Sequence, residues 1–121
     1  MYQSLKSIGR KMTTYNLNVA SPSVTFNASG VATVTVSPPS IEYWDITSLG
    51  VQTSDSPSAT VIPLATITLD GIYKEATYSG NLDASDTPYH LEKGQRLTCT
   101  WTGGTSGKTA TLTLNGTRSL Y

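Results

Sequence analysis

The sequence predicts an all-β fold, a single antiparallel β-sandwich, and three observations carry the prediction. Thr and Ser are abundant while charged residues make up only 13% of the chain. Thr is β-branched and Ser competes with the backbone for hydrogen bonds, so this composition opposes helix. Apolar and polar residues alternate with a period of two through several segments. Turn residues separate those segments at roughly 8–12-residue spacing, which gives about seven or eight strands. A chain of 121 residues makes one domain with one two-layer core. Strand order is not written in alternation, so immunoglobulin-like and jelly-roll sandwiches both fit.

Residues 1–20 lack alternation and read as an extended N-terminal arm, leaving 21–121 for the sandwich. Tyr2, Leu5, Ile8 and Met12 fall near helical spacing within the arm. The arm carries Lys6, Arg10 and Lys11 and no acid; of eight bases and eight acids in all, five and eight remain for the body. A basic arm thus precedes a mildly acidic body.

From Ser23 the pattern is strand and turn. "VTFNASGVATVTVS" reads as two β segments forming a hairpin about Asn27–Gly30, and Pro38–Pro39 stop the second. In "IEYWDITSLGVQTS" Trp44 and Ile46 share one parity and Leu49 and Val51 the other, so a bulge near Ser48 is needed to bring all four inward. "ATVIPLATITLDG" is a strand that Pro63 interrupts and Asp70–Gly71 closes. "IYKEATYSG" reads as a further strand and "NLDASDTP" as a polar loop. "YHLEKGQRLTCTW" holds a short strand, a turn at Lys93–Gly94, and a strand pointing Leu97, Cys99 and Trp101 inward. Ala110, Leu112 and Leu114 then alternate with threonines until Asn115–Gly116 ends the run.

"TGGTSGKT" (Thr102–Thr109) comes within one residue of a phosphate-binding loop. Such a loop needs a helix N-terminus after its lysine to present amides to phosphate. The residues after Lys108 read T-A-T-L-T-L, which is strand alternation. The loop therefore reads as a β-hairpin tip, and nucleotide binding is excluded.

Other chemistry fares no better. His90 is the only histidine and reads as a surface or satisfied strand residue; Cys99 is the only cysteine and reads as a buried hydrophobe. Asn81, Asp83 and Asp86 read as turn residues, with too few oxygen ligands for a calcium loop. No catalytic residue, metal or cofactor is expected. The acidic body disfavours nucleic acid, no run approaches a membrane span, and no secretory h-region is present.

The segments "YWDITSLGVQTS", "ATYSGNLDASD" and "LEKGQRLTCTWTGGTSGKTATLTLNG" resemble those of small β-sandwich virion proteins of tailed phages, especially phages of actinobacterial hosts. The resemblance runs from about Glu42 to Gly116, and "YSGNLDASD" and "GQRLTCTWTGG" are its most specific pieces. It implies a non-enzymatic structural protein, made in the host cytoplasm and resident in the virion as a homo-oligomer or in many copies. It implies capsid decoration or a minor capsid role, with a minor tail or collar position as the alternative. It identifies no functional residue.

Physical reasoning adds the attachment. An arm presenting Tyr2, Leu5, Lys6, Ile8, Arg10, Lys11 and Met12 is suited to docking on neighbouring virion proteins, the major capsid protein foremost. Burying Leu5, Ile8 and Met12 would contribute on the order of 1.5–3 kcal/mol each before ordering costs. Sheet edges offer a second attachment mode by strand addition. A rival function is a carbohydrate-binding module that holds host cell wall through exposed Tyr73, Tyr78 and Tyr89.

Overall fold

Every strand pairing is antiparallel and no helix forms among the residues that the computed structural model describes, 13–54, 62–78, 84–85 and 87–120. The strands are β1 (Thr14–Ala20), β2 (Val24–Thr25), β3 (Ala32–Val36), β4 (Glu42–Thr53) and β5 (Leu64–Leu69). They continue as β6 (Ile72–Tyr78), β7 (Ala84–Ser85), β8 (Tyr89–Leu91), β9 (Leu97–Thr102) and β10 (Thr109–Leu120). One sheet has the order β3-β9-β5-β6. In the other, β10 and β4 are central; β1 and β2 pair with β10, while β7 and β8 pair with β4.

β10 gives one edge to β4, so β1 and β2 lie end to end along the other; β7 and β8 likewise share the free edge of β4. Treating each collinear pair as one strand leaves eight, which pair first with eighth, second with seventh, third with sixth and fourth with fifth. That is one long antiparallel hairpin wrapped on itself, the jelly-roll arrangement. The sandwich expected from alternation is therefore present, and its strand order excludes the immunoglobulin-like alternative.

The wrap corrects several local readings. The Asn27–Gly30 turn joins β2 to β3, which lie in different sheets, and the glycine loop joins β9 to β10, which also do. Both are corners between sheets rather than hairpin tips. The tight hairpin is β5–β6, where Leu69 opposes Ile72 and both Asp70 (φ 50°) and Gly71 (φ 83°) take the positive φ of a two-residue turn. The body also begins earlier than residue 21: residues 14–20, assigned to the arm, are β1 and pair with β10 from Thr113 to Ser119.

The inferred bulge of β4 is present. Asn115 opposes Ser48 and Gly116 opposes Ile46, so Thr47 is the extra residue, and Trp44, Ile46, Leu49 and Val51 are all buried. Asn115–Gly116 does not end its strand, which runs on to Leu120; Gly116 is where β10 passes the bulge.

Between the sheets, rows match large against small. Trp101 lies between Ala32 and Ala65, and Cys99 between Val34 and Ile67. From the facing sheet come Ile46, Leu49, Val51, Leu112 and Leu114, each at most 1% exposed. Leu97, Cys99 and Trp101 are wholly buried, as alternation predicts.

Candidate functional site

Of the arm residues, Tyr2, Leu5, Lys6, Ile8, Arg10, Lys11 and Met12 lie outside the described residues. The foot of the arm is described. The Leu120 amide donates to the Thr13 carbonyl at 3.0 Å, setting residue 13 beside the last strand. Register brings Tyr15 next to Arg118 and Arg118 next to Trp44. Arg118 lies 4.8 Å over the Tyr15 ring and donates from Nη1 to Glu42 Oε2 at 2.7 Å. The other oxygen of Glu42 accepts the Trp44 indole N–H at 3.0 Å. Glu42 is buried with both oxygens partnered, so its charge is compensated and β1 is braced at its N-terminal end.

A second surface is the outer face of the β3-β9-β5-β6 sheet. Its outward residues form three transverse rows: Thr35–Thr98–Thr68–Tyr73, Thr33–Thr100–Thr66–Ala76, and Thr102–Leu64–Tyr78. The rows themselves are uncharged; exposed Lys74, beside Tyr73 on β6, and exposed Arg96, next to Leu97, border them. Thr35 and Thr98 hydroxyls bond each other at 3.0 Å. Tyr73 and Tyr78 are 63% and 65% exposed. They fall on one face because β6 has its own bulge: Ile67 opposes Glu75 and Thr68 opposes Tyr73, leaving Lys74 as the extra residue.

Tyr89 does not join them. It is 7% exposed, faces the core from β8, and donates its hydroxyl to Glu75, which also accepts from Thr87 at 3.3 Å. Burial, then the Glu75 hydrogen bond, pushes the phenol pKa strongly upward, so the hydroxyl stays protonated. Its role is to tie β6 to the neighbouring sheet edge. The expected trio of exposed tyrosines is a pair.

His90 sits on the outer face of the other sheet. Its Nδ1 is 2.6 Å from Asp45 Oδ1, its Nε2 bonds Glu92, and its ring packs on Tyr43 at 5.4 Å. With a carboxylate at each nitrogen the ring holds both protons and donates both, which raises its pKa above the ordinary 6.5, chiefly through Asp45 and then Glu92. Neither nitrogen is left as a base. The trio's stabilisation is complete below the unfolded value near 6.5 and is lost as pH rises through the higher folded value. A proton NMR titration should place the His90 midpoint above 6.5, falling in Asp45→Asn; a wild-type midpoint at or below 6.5 contradicts the doubly bonded ring.

The remaining motifs resolve into structure. In the glycine loop the Gly104 amide donates to Gly30 and the Gly107 amide to Phe26, while Lys108 accepts from Phe26 at 2.8 Å. A Cβ at Gly104 would lie 2.3 Å from the Phe26 ring, so this glycine is there for close packing of two corners. Those amides are committed to backbone, not to phosphate. The Cys99 thiol is buried and desolvation pushes its pKa up to about 12, which keeps it an unreactive thiol. Among the described residues no cluster of three His, Cys, Asp or Glu could hold a metal ion; Asn81, Asp83 and Asp86 lie outside them.

Sequence reasoning missed the Glu42–Arg118–Tyr15 brace and the threonine rows. The rows had a visible signal in the T-x-T repeats of three segments; the brace joins residues 76 apart and had none. Comparison with family models, with curated proteins and with solved structures finds no match.

Proposed function

We propose that this is a non-enzymatic virion protein of a tailed phage, most suited to decorating or reinforcing the capsid, which docks on the major capsid protein through residues 1–12. The observation that carries the reading is the placement of the arm's foot. Among the described residues β1 pairs with β10 alone, and it is braced by Tyr15, Arg118 and Glu42 at the end from which the basic residues continue in sequence. An arm leaving a fixed edge transmits its binding energy to a rigid body, and many copies on one shell multiply a modest contact. The jelly roll itself is an architecture used by viral capsid and lectin domains, which supports this reading at the level of fold alone. The non-enzymatic part rests on His90, bonded at both nitrogens, and on Cys99, buried beneath the sheet.

The alternative position, a minor tail or collar component, uses the same arm at a different attachment point. Imaging by cryo-electron microscopy separates the two: particles lacking the protein are incubated with the full chain or with a variant deleted for residues 1–12. That deletion stops before β1, so the body keeps its edge strand. Regular density over the head with the full chain, lost with the deletion, is the expected result. Density confined to the neck or tail favours the alternative, and undiminished attachment of the deleted protein refutes the arm as anchor.

A further inference from the structure

The tyrosine pair and the threonine rows do not take part in the proposed arm docking. We propose that the outer face of the β3-β9-β5-β6 sheet is a binding platform for a neutral polysaccharide chain, with Tyr73 and Tyr78 as its stacking residues. This inference does not depend on the virion reading, since it concerns the isolated body.

Four observations carry it. Tyr73 and Tyr78 are among the most exposed large side chains described, and the Lys74 bulge sets them on one face. Straight alternation would have put them on opposite faces, and burying them against the other sheet would have been the simpler use of two aromatics. Their partners Thr68 and Leu64 are four residues apart on β5, so the two rings are separated by roughly 13 Å along the strand at about 3.3 Å per residue. A short run of linked pyranose rings bridges that distance, each tyrosine ring offering its π-face to the axial C–H bonds of one sugar.

The strip beside the tyrosines supplies the polar half of such a site. Thr66, Thr68, Thr98 and Thr100 stand two by two on neighbouring strands, about 4.8 Å apart across the sheet. Each hydroxyl both donates and accepts, which matches sugar hydroxyls that do the same. The chemistry also says what the ligand is not. It is not held by ion pairs within the rows, which carry no charge; the exposed Lys74 of β6 and the exposed Arg96, next to Leu97, lie only at their margins.

A second chain adding to β6 by strand pairing is a poorer occupant. Lys74 and its bulge interrupt the middle of that edge, the arrangement by which sheet edges resist pairing. The bulge that spoils the edge is the one that builds the face.

The test uses the full recombinant chain and insoluble polysaccharides: cellulose, xylan and mannan as neutral probes, with alginate as the anionic control. Retention on at least one neutral polymer, unchanged between low and high salt, is expected. Tyr73→Ala and Tyr78→Ala should each weaken it at least tenfold, the double variant should abolish it, and Tyr73→Phe should keep it because stacking needs the ring and not the hydroxyl. Both positions are exposed, so circular dichroism and melting of these variants should match wild type. The proposal is overturned by no retention on any neutral polymer, by retention that survives the double variant, or by alginate binding equal to neutral binding. It is equally overturned if sedimentation shows a dimer that the double variant dissociates, since the face would then be covered by a second copy.

Discussion

Trp101→Ala lowers the free energy of unfolding by about 3–5 kcal/mol, the range for removing a fully buried tryptophan. Trp101 is wholly buried and lies in the middle of a row whose cross-strand neighbours, Ala32 and Ala65, are both alanines. Their small side chains leave the space that the indole fills, and neither can grow into it when the indole is gone. The backbone cannot close it either, because β9 is held on one side by β3 and on the other by β5. The cavity therefore persists and the cost stays near the top of the range. Trp101→Phe should cost much less, since a ring of similar height keeps most of the contacts. Urea unfolding followed by circular dichroism measures both. A loss under about 1 kcal/mol for the alanine variant would mean that the site repacks, against the tight row of Ala32, Trp101 and Ala65.

The same row shows what alternation makes legible. Leu97, Cys99 and Trp101 could be assigned inward because strict period-two patterning leaves one register that buries them. The β4 bulge was legible for a related reason: Trp44 and Ile46 on one parity, with Leu49 and Val51 on the other, allow one inward solution only. Corners were not legible. Glycine serves a hairpin tip and an inter-sheet corner equally well, so Asn27–Gly30 and the glycine loop looked like hairpins although each joins strands of different sheets.

Two errors had a readable cause. In residues 14–20, Tyr15, Leu17 and Val19 alternate with Asn16 and Asn18, a strand signature overshadowed by the basic residues before it, which draw the whole segment into the arm. Tyr89 shares its parity with Leu91 and both are buried, so the short β8 pattern already argued against an exposed ring. The tyrosine platform was only half legible. Exposure of Tyr73 and Tyr78 was anticipated, but their common face depends on the extra residue Lys74, and nothing local marks that residue as bulged. The Glu42–Arg118 pair depends on which strands neighbour β10, a property of the whole wrap.

Gly116→Ala is the second large effect expected, about 3 kcal/mol, the upper end of what overpacking costs in an otherwise sound core. Gly116 lies opposite Ile46, where the extra residue of β4 pushes that strand toward β10. A Cβ built there would stand 2.0 Å from the Asp45 carbonyl oxygen and 2.9 Å from the Ile46 Cα. Both are backbone atoms of a central strand, so no rotamer change relieves the overlap; one of the two central strands must move. Movement would pull Ile46 and Trp44 out of the core and loosen Arg118, two residues further along β10, from Glu42. Gly71→Ala makes the matching control. Gly71 has φ 83° but nothing within 4 Å of its would-be Cβ, so only the left-handed backbone penalises alanine there, by about 1–2 kcal/mol. If Gly116→Ala costs clearly more than Gly71→Ala in urea unfolding, close approach at the bulge is the cause. If the two are equal, β10 has room to shift past β4, and the brace at the foot of the arm is less fixed than docking through the arm requires.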